Sequence, residues 1–147
     1  MTENWFWVIA SIIAFGLALF LYFKFSHSNE QFQLINTQIN QCQILFNKID
    51  QVCFSNQGTV VYLDFQANKY LNYIISDNKI ISCYVYDQFL NHTSDCNIVI
   101  DTPDGKIRYY TSGIYYTAYY GKDYEILKLI INKTNPTTVK ISLGPLS

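Results

Sequence analysis

Four cysteines, two histidines and a scatter of carboxylates are the residues through which this chain could do chemistry. Cys42, Cys53, Cys83 and Cys96 allow three complete disulfide pairings. Cys42 and Cys53 fall on a segment that reads as helix. Eleven residues of unbroken helix put both sulfurs on one face but about 16 Å apart, beyond the ~7 Å that a disulfide spans between Cα atoms. Two arrangements stay open. Cys83 and Cys96 flank a polar stretch at the ends of neighbouring predicted strands and would pair easily, leaving Cys42 and Cys53 as core thiols; this is the favoured pairing. The other is a pair of helix-to-sheet bridges that clamp the helix to the strands.

Metal and catalytic chemistry find little support. Zinc needs clustered Cys and His, yet no C-x-x-C spacing occurs and only His27 and His92 could assist. The same two histidines offer no Ser-His-Asp or Cys-His arrangement outside the loop predicted around His92, and no glycine-rich phosphate loop is present. Asp87, Asp95, Asp101 and Asp104 border predicted turns. An extracellular carboxylate cluster can bind calcium, but the ligand rhythm of a calcium loop is missing and solvated turns account for them. The expectation is a protein with no catalytic residues, metal or cofactor and no small-molecule substrate, not an enzyme. Nucleic acid is set aside as well: 10 basic residues face 11 acidic ones, for a net charge of −1. Displacing counterions from phosphates needs a clustered positive footprint, and Arg108 is the sole arginine.

Two kinds of residue point to surface recognition instead. Asn91-His92-Thr93 and Asn132-Lys133-Thr134 are N-glycosylation acceptor patterns in or beside predicted loops. Tyr109, Tyr110, Tyr115, Tyr116, Tyr119 and Tyr120 crowd around Gly113. Adjacent strand residues point to opposite faces, so one set should fill a core and the other stay exposed as rigid, amphipathic contact surface.

The elements that position these residues begin with an anchor. Residues 5–23, WFWVIASIIAFGLALFLYF, carry no charge and no proline. As a helix they would be roughly 28 Å long, close to the ~30 Å hydrocarbon thickness of a bilayer. Trp5 and Trp7 at one end and Tyr22 at the other suit the headgroup level, and Lys24 can snorkel outward. A cleaved secretory signal would want a basic leader, a shorter apolar run and a small-x-small exit. MTEN and YFKFSHS supply none of these, so the segment reads as retained. Lys24 alone gives almost no orientation signal; four cysteines in a small β domain, with the acceptor patterns, favour an extracytoplasmic C-terminal domain.

Beyond the anchor, Phe32, Ile35, Ile39, Cys42, Phe46, Ile49 and Cys53 alternate in steps of three and four, one apolar stripe on a helix otherwise rich in Gln and Asn. The stripe packs either on the protein's own sheet or on other copies, or divides between the two. Asn56-Gln57-Gly58 should break this helix. Seven or eight short strands follow (TVVYLDFQ, KYLNYIIS, KIISCYVY, CNIVID, KIRYYTS, IYYTAYY, YEILKLIIN, TVKISL), with DQFLNHTSD read as a polar loop and Thr102-Pro103-Asp104-Gly105 as a turn. The spacing of roughly 8–12 residues predicts an antiparallel sandwich or barrel. The fold class is thus α+β: a long N-terminal helix, membrane anchor plus amphipathic stalk, then about seven antiparallel strands. The boundaries are 1–24 for the anchor, 25–54 for the stalk and 55–147 for the β-rich domain.

A hydrophobic helix continuing into an amphipathic one that ends near Cys53, then Gly58, TVVYLDF and a β domain closing on EILKLIINKTNPTTVKISL, resembles archaeal type IV pilin-like and archaellin-like proteins. The likeness is one of architecture over nearly the whole chain. Such pilins usually carry a short basic leader ending in a glycine cleavage site; MTENWFW has neither, and Glu3 is not placed as a processed pilin's glutamate would be. The resemblance implies a cell-surface structural subunit assembling through its N-terminal helix, with membrane lipid and like subunits as partners. The alternative is a single-pass anchored binding module or accessory subunit that forms no filament.

Overall fold

The computed structural model describes residues 2–108 and 124–144. One α-helix, α1, runs from Thr2 to Cys53 without interruption, as expected of a stretch with no proline and no glycine between Gly16 and Gly58. Eight strands follow: β1 (Val60–Asn68), β2 (Leu71–Asp77), β3 (Ile80–Val85), β4 (Gln88–Thr93), β5 (Asn97–Asp101), β6 (Lys106–Ile107), β7 (Tyr124–Asn135) and β8 (Thr138–Leu143). They form two four-stranded sheets, ordered β1-β7-β8-β5 and β4-β3-β2-β6. The α+β expectation therefore stands, with one pairing that is not antiparallel: β5 lies parallel to β8.

The chain divides into two compact units, residues 1–34 and 35–147. In the first, α1 is exposed nearly all round and carries large apolar side chains on every face, Trp5, Phe6, Ile12, Phe15, Phe20 and Phe23 among them. It is the helix among the described residues that is long and apolar enough to cross a membrane. Phe32, near the end of this unit, is 63% exposed.

In the second unit the helix turns one face inward. Cys42, Leu45, Phe46, Ile49, Val52 and Cys53 are buried, and Ile35 and Ile39 pack partly against the same core. The stripe read from the sequence is thus spent on the chain's own sheets from Ile35 onward, and the true buried face is wider, taking in Gln38, Leu45 and Val52. Sheet residues complete the core: Phe65, Leu127, Leu129, Ile131 and Ile141 from one sheet, Leu71, Ile74, Ile81, Val85 and Ile107 from the other. Each large aliphatic or aromatic side chain so buried contributes about 1.5–3 kcal/mol by leaving water.

Hydrogen bonds show how the sheets close. On one side β5 meets the β2–β3 turn, where Ile98 N–H donates to the Asn78 carbonyl at 2.7 Å and Ser94 N–H to that of Lys79 at 2.8 Å. On the other side the helix joins the two outer strands. Gln38 Oε1 accepts from Asn68 N–H at 2.7 Å and Gln41 Oε1 from Gln66 N–H at 3.3 Å, both on the free edge of β1. Against β4, Asp50 Oδ2 lies 2.8 Å from His92 Nε2. A sheet edge left with unpaired N–H groups invites pairing with another chain; two glutamines close part of this one.

Two disulfides fix the helix further. Cys42 bonds Cys83 of β3, and Cys53 bonds Cys96 just before β5. The favoured Cys83–Cys96 pairing is overturned. DQFLNHTSD is not a loop that would bring the two together: most of it is β4, returning along β3 with Leu90 opposite Cys83. Cys83 lies on β3, Cys96 directly precedes β5 of the other sheet, and each is bonded to the helix.

The helix end is capped from the β1-β7-β8-β5 sheet. Its last turn holds no basic residue, and Lys133 of β7, 9% exposed, sends Nζ to the carbonyls of Cys53 and Ser55 at 2.5 and 2.7 Å. A cation there meets both the orphan carbonyls and the negative end of the helix dipole. Lys133 N–H and C=O also bond Thr59 and Gly58, and Gly58 adopts φ +89°, a conformation suited to glycine.

Non-reducing peptide mapping should recover the 42–83 and 53–96 pairs, and Cys83→Ser should expose one labelled thiol, at Cys42. A thiol appearing at Cys96 instead would overturn the pairing. Lys133→Met should cost about 2 kcal/mol, the range for a buried hydrogen bond from a charged group, read from the denaturant midpoint. No change in that midpoint would mean the lysine does not hold the helix end.

Candidate functional site

The richest surface among the described residues lies on the outer face and free edge of the β4-β3-β2-β6 sheet. Two tight turns set its register. Asn78 and Tyr86, at φ 52° and 55°, sit in two-residue hairpin connections, Asn78-Lys79 and Tyr86-Asp87. Turns of this mirror-image kind match the twist of the flanking strands. The resulting pairing puts Tyr73 opposite Tyr84 and Tyr84 opposite Phe89.

The rings of these three residues form a row across β2, β3 and β4. Tyr73 and Tyr84 stack with centroids 5.6 Å apart, and Tyr84 and Phe89 lie tilted at 5.4 Å. Lys106 of β6 extends the row, its Nζ 5.1 Å from the Tyr73 centroid. A second pair, Tyr70 and Tyr86, meets edge to face at 5.9 Å. Cross-strand aromatic pairs each stabilise a sheet by about 0.2–1 kcal/mol, and a cation over a ring adds a comparable amount. Phe89 ends the row half-exposed.

Beside Phe89 opens a cleft of ≈ 350 Å³ between the helix and β4. Gln43, Phe46 and Asn47 line it from the helix, and Phe89, Leu90, Asn91 and His92 from the strand. Strand alternation explains the division: Leu90 and His92 turn inward while Phe89, Asn91 and Thr93 turn out. His92 is held twice, by Asp50 and by its ring lying flat on Phe46 at 5.1 Å and 9°. Hairpin pairing also leaves the backbone groups of Phe89 and Asn91 on the side away from β3. The contrast with β1 is physical. There the helix amides bond the strand edge; here Gln43 and Asn47 stand off and leave the cleft.

The other sequence candidates fall elsewhere. Asn91 is exposed on β4, its Oδ1 accepting from Ser82 Oγ at 2.7 Å. Asn132 is half-buried on β7, paired with Val60 on one side and Lys140 on the other. Tyr109, Tyr110, Tyr115, Tyr116, Tyr119 and Tyr120 lie outside the described residues. All four cysteines are bonded to one another, so none offers a thiolate to a metal. Two of the four turn carboxylates take cations from the chain itself: Asp104 pairs with Arg108 at 2.8 Å and Asp101 with Lys140 at 3.2 Å. Sequence reading missed the Tyr73–Tyr84–Phe89 row, although the two hairpin turns would have given its register once DQFLNHTSD was taken as strand.

Tyr84→Ala removes the middle ring and two contacts, and should cost about 1–2 kcal/mol, more than Phe89→Ala, which removes one. Equal losses in denaturant melts would show that the three rings do not act as one row. Comparison of the chain with known protein families, with curated proteins and with solved structures finds no match to any of them.

Proposed function

We propose that this chain is a membrane-anchored cell-surface subunit of pilin-like plan, its first helical unit serving as anchor and assembly element and its disulfide-bonded β domain facing outward. The observation that carries the reading is the change of character along one helix. From Trp5 to Phe32 its large apolar side chains are exposed on every face, and from Ile35 it becomes one wall of a β domain. A helical surface of this kind is costly in water and is covered by lipid or by neighbouring helices. Two disulfides fit an oxidising compartment outside the cytoplasm.

A second reading, an anchored binding module that forms no filament, is favoured by the aromatic row and the adjoining cleft. Both offer preorganised contact surface.

Shearing intact cells separates the two. A filament subunit is recovered in the sheared, pelletable fraction; an anchored module stays with the membrane until detergent releases it. Phe32→Asp sharpens the test, since Phe32 is exposed and outside the chain's own core. Burying such a ring is worth about 1.5–3 kcal/mol, so its loss should cut filament yield by roughly tenfold or more. Unchanged yield would remove this part of the helix from the assembly contact.

A further inference from the structure

We propose that Asn91 is an N-glycan acceptor, that Asn132 is not, and that the exposed flank of Phe89 carries the first sugar. The inference rests on the reading that the β domain faces outside the cytoplasm.

The two acceptor patterns differ in what holds them. Asn91 and Thr93 lie exposed on β4, an outer strand bonded along one side only, to β3. The residue between them, His92, is drawn inward by Asp50 and Phe46, which turns its two neighbours out together. The hydrogen bond from Ser82 Oγ uses Asn91 Oδ1. It leaves Nδ2 as the atom for attachment and survives the modification. Asn132 sits on a strand laddered on both sides. Its neighbour Lys133 is buried, with Nζ on the helix-end carbonyls and its backbone tied to Gly58 and Thr59. A transferase needs its acceptor in an accessible, extended segment, and an acceptor that the closed sheet has already taken up must be drawn out again. At Asn91 that frees one edge; at Asn132 it breaks two ladders and uncaps the helix.

Phe89 supplies the second, independent feature. It stands two residues before Asn91 on the same face, about 7 Å away along the strand, 50% exposed, with Tyr84 against one flank. The apolar C–H face of a hexosamine linked to Asn91 can lie on the remaining flank as another ring would. In the transfer, Asn91 Nδ2 attacks C1 of an oligosaccharide held on a lipid diphosphate. The N–C1 bond forms, the bond from C1 to the diphosphate oxygen breaks, the proton leaving Nδ2 passes to a base of the transferase, and the lipid diphosphate leaves. A sugar so placed also shields the open edge of β4 from strand addition.

The test uses the full chain, produced in a eukaryotic secretory host with a flexible tail after Ser147 bearing an additional acceptor sequon. Glycopeptide mass spectrometry should find the tail and Asn91 occupied and Asn132 empty. Thr93→Ala removes the acceptor motif and keeps Asn91. It should weaken the folding equilibrium by about two- to tenfold in the parent, the weight of one aromatic contact, and much less in a Phe89→Ala background. An occupied tail with Asn91 empty, or with Asn132 occupied, overturns the assignment alone. An unmodified tail overturns the outward-facing reading and the inference with it. Equal Thr93→Ala effects in both backgrounds remove Phe89 from the sugar's seat.

Discussion

Cys42 and Cys53 stand three helical turns apart on one face of α1, a rise of roughly 16 Å, and each is bonded to a different sheet. Cys42 reaches Cys83 on β3 and Cys53 reaches Cys96 at the start of β5. A helix shows a partner one face at a time, so two cysteines on that face can rivet two sheets only if both sheets present their inner sides to it. That requirement sets the architecture. The sheets lean together along β5 and the β2–β3 turn, and the helix occupies the opposite mouth, bonded to β1 by Gln38 and Gln41 and to β4 by Asp50. The helix is therefore a wall of the domain from Ile35 onward, sharing one core with both sheets.

The bridges also interleave, since the 42–83 loop contains Cys53 and excludes Cys96. Each closes a loop of sequence separation 41 or 43, and in the chain-entropy model a loop of that size stabilises by about 4 kcal/mol. The two values do not add, because either bridge already shortens the loop that the other closes. Lys133 acts at the same corner by other means. It caps the end of α1 beside the Cys53–Cys96 bond, so a covalent link and a buried cation hold one point of the helix to the β1-β7-β8-β5 sheet. Burial of a lysine is tolerated where several acceptors surround it, as the carbonyls of Cys53 and Ser55 do here.

Much of this was legible in the sequence because it rests on local pattern. The all-round apolar run, the three-four spacing through Cys53, the glycine at position 58 and the alternation of Val139, Ile141 and Leu143 are periodicities of one element. The disulfide pairing was not legible, and the reason is one misread segment. QFLNHT is polar enough to pass for a loop, yet it is an outer strand whose exposed face has no need of apolar residues. Taking it as loop placed Cys83 and Cys96 side by side, when a full hairpin separates them. The same error hid the aromatic row, whose third ring, Phe89, belongs to that strand. Lys133 was invisible for a different reason: nothing near it in the chain shows that a helix end eighty residues earlier lacks a cation.

Burial of the stripe limits what the helix can do for assembly. Cys42, Phe46, Ile49 and Cys53 face the chain's own core and are closed to a neighbour unless the domain unfolds. Self-association through α1 must then use residues before Ile35 or the outward positions after it, such as exposed Ile44 and Gln43. The second group is mostly amide-bearing, and Gln and Asn side chains lose rotamer freedom on burial for hydrogen bonds worth about 1 kcal/mol net. The first group is apolar in every direction. In lipid such a surface gains nothing from the hydrophobic effect when helices meet, so close contact there depends on shape and on small residues at the crossing. Ala10, Ser11, Ala14, Gly16 and Ala18 are the residues of that kind in the apolar run. The strength of any helix–helix contact in lipid would follow from how those five are placed relative to a neighbour, and the apolar character of the run does not itself specify a partner.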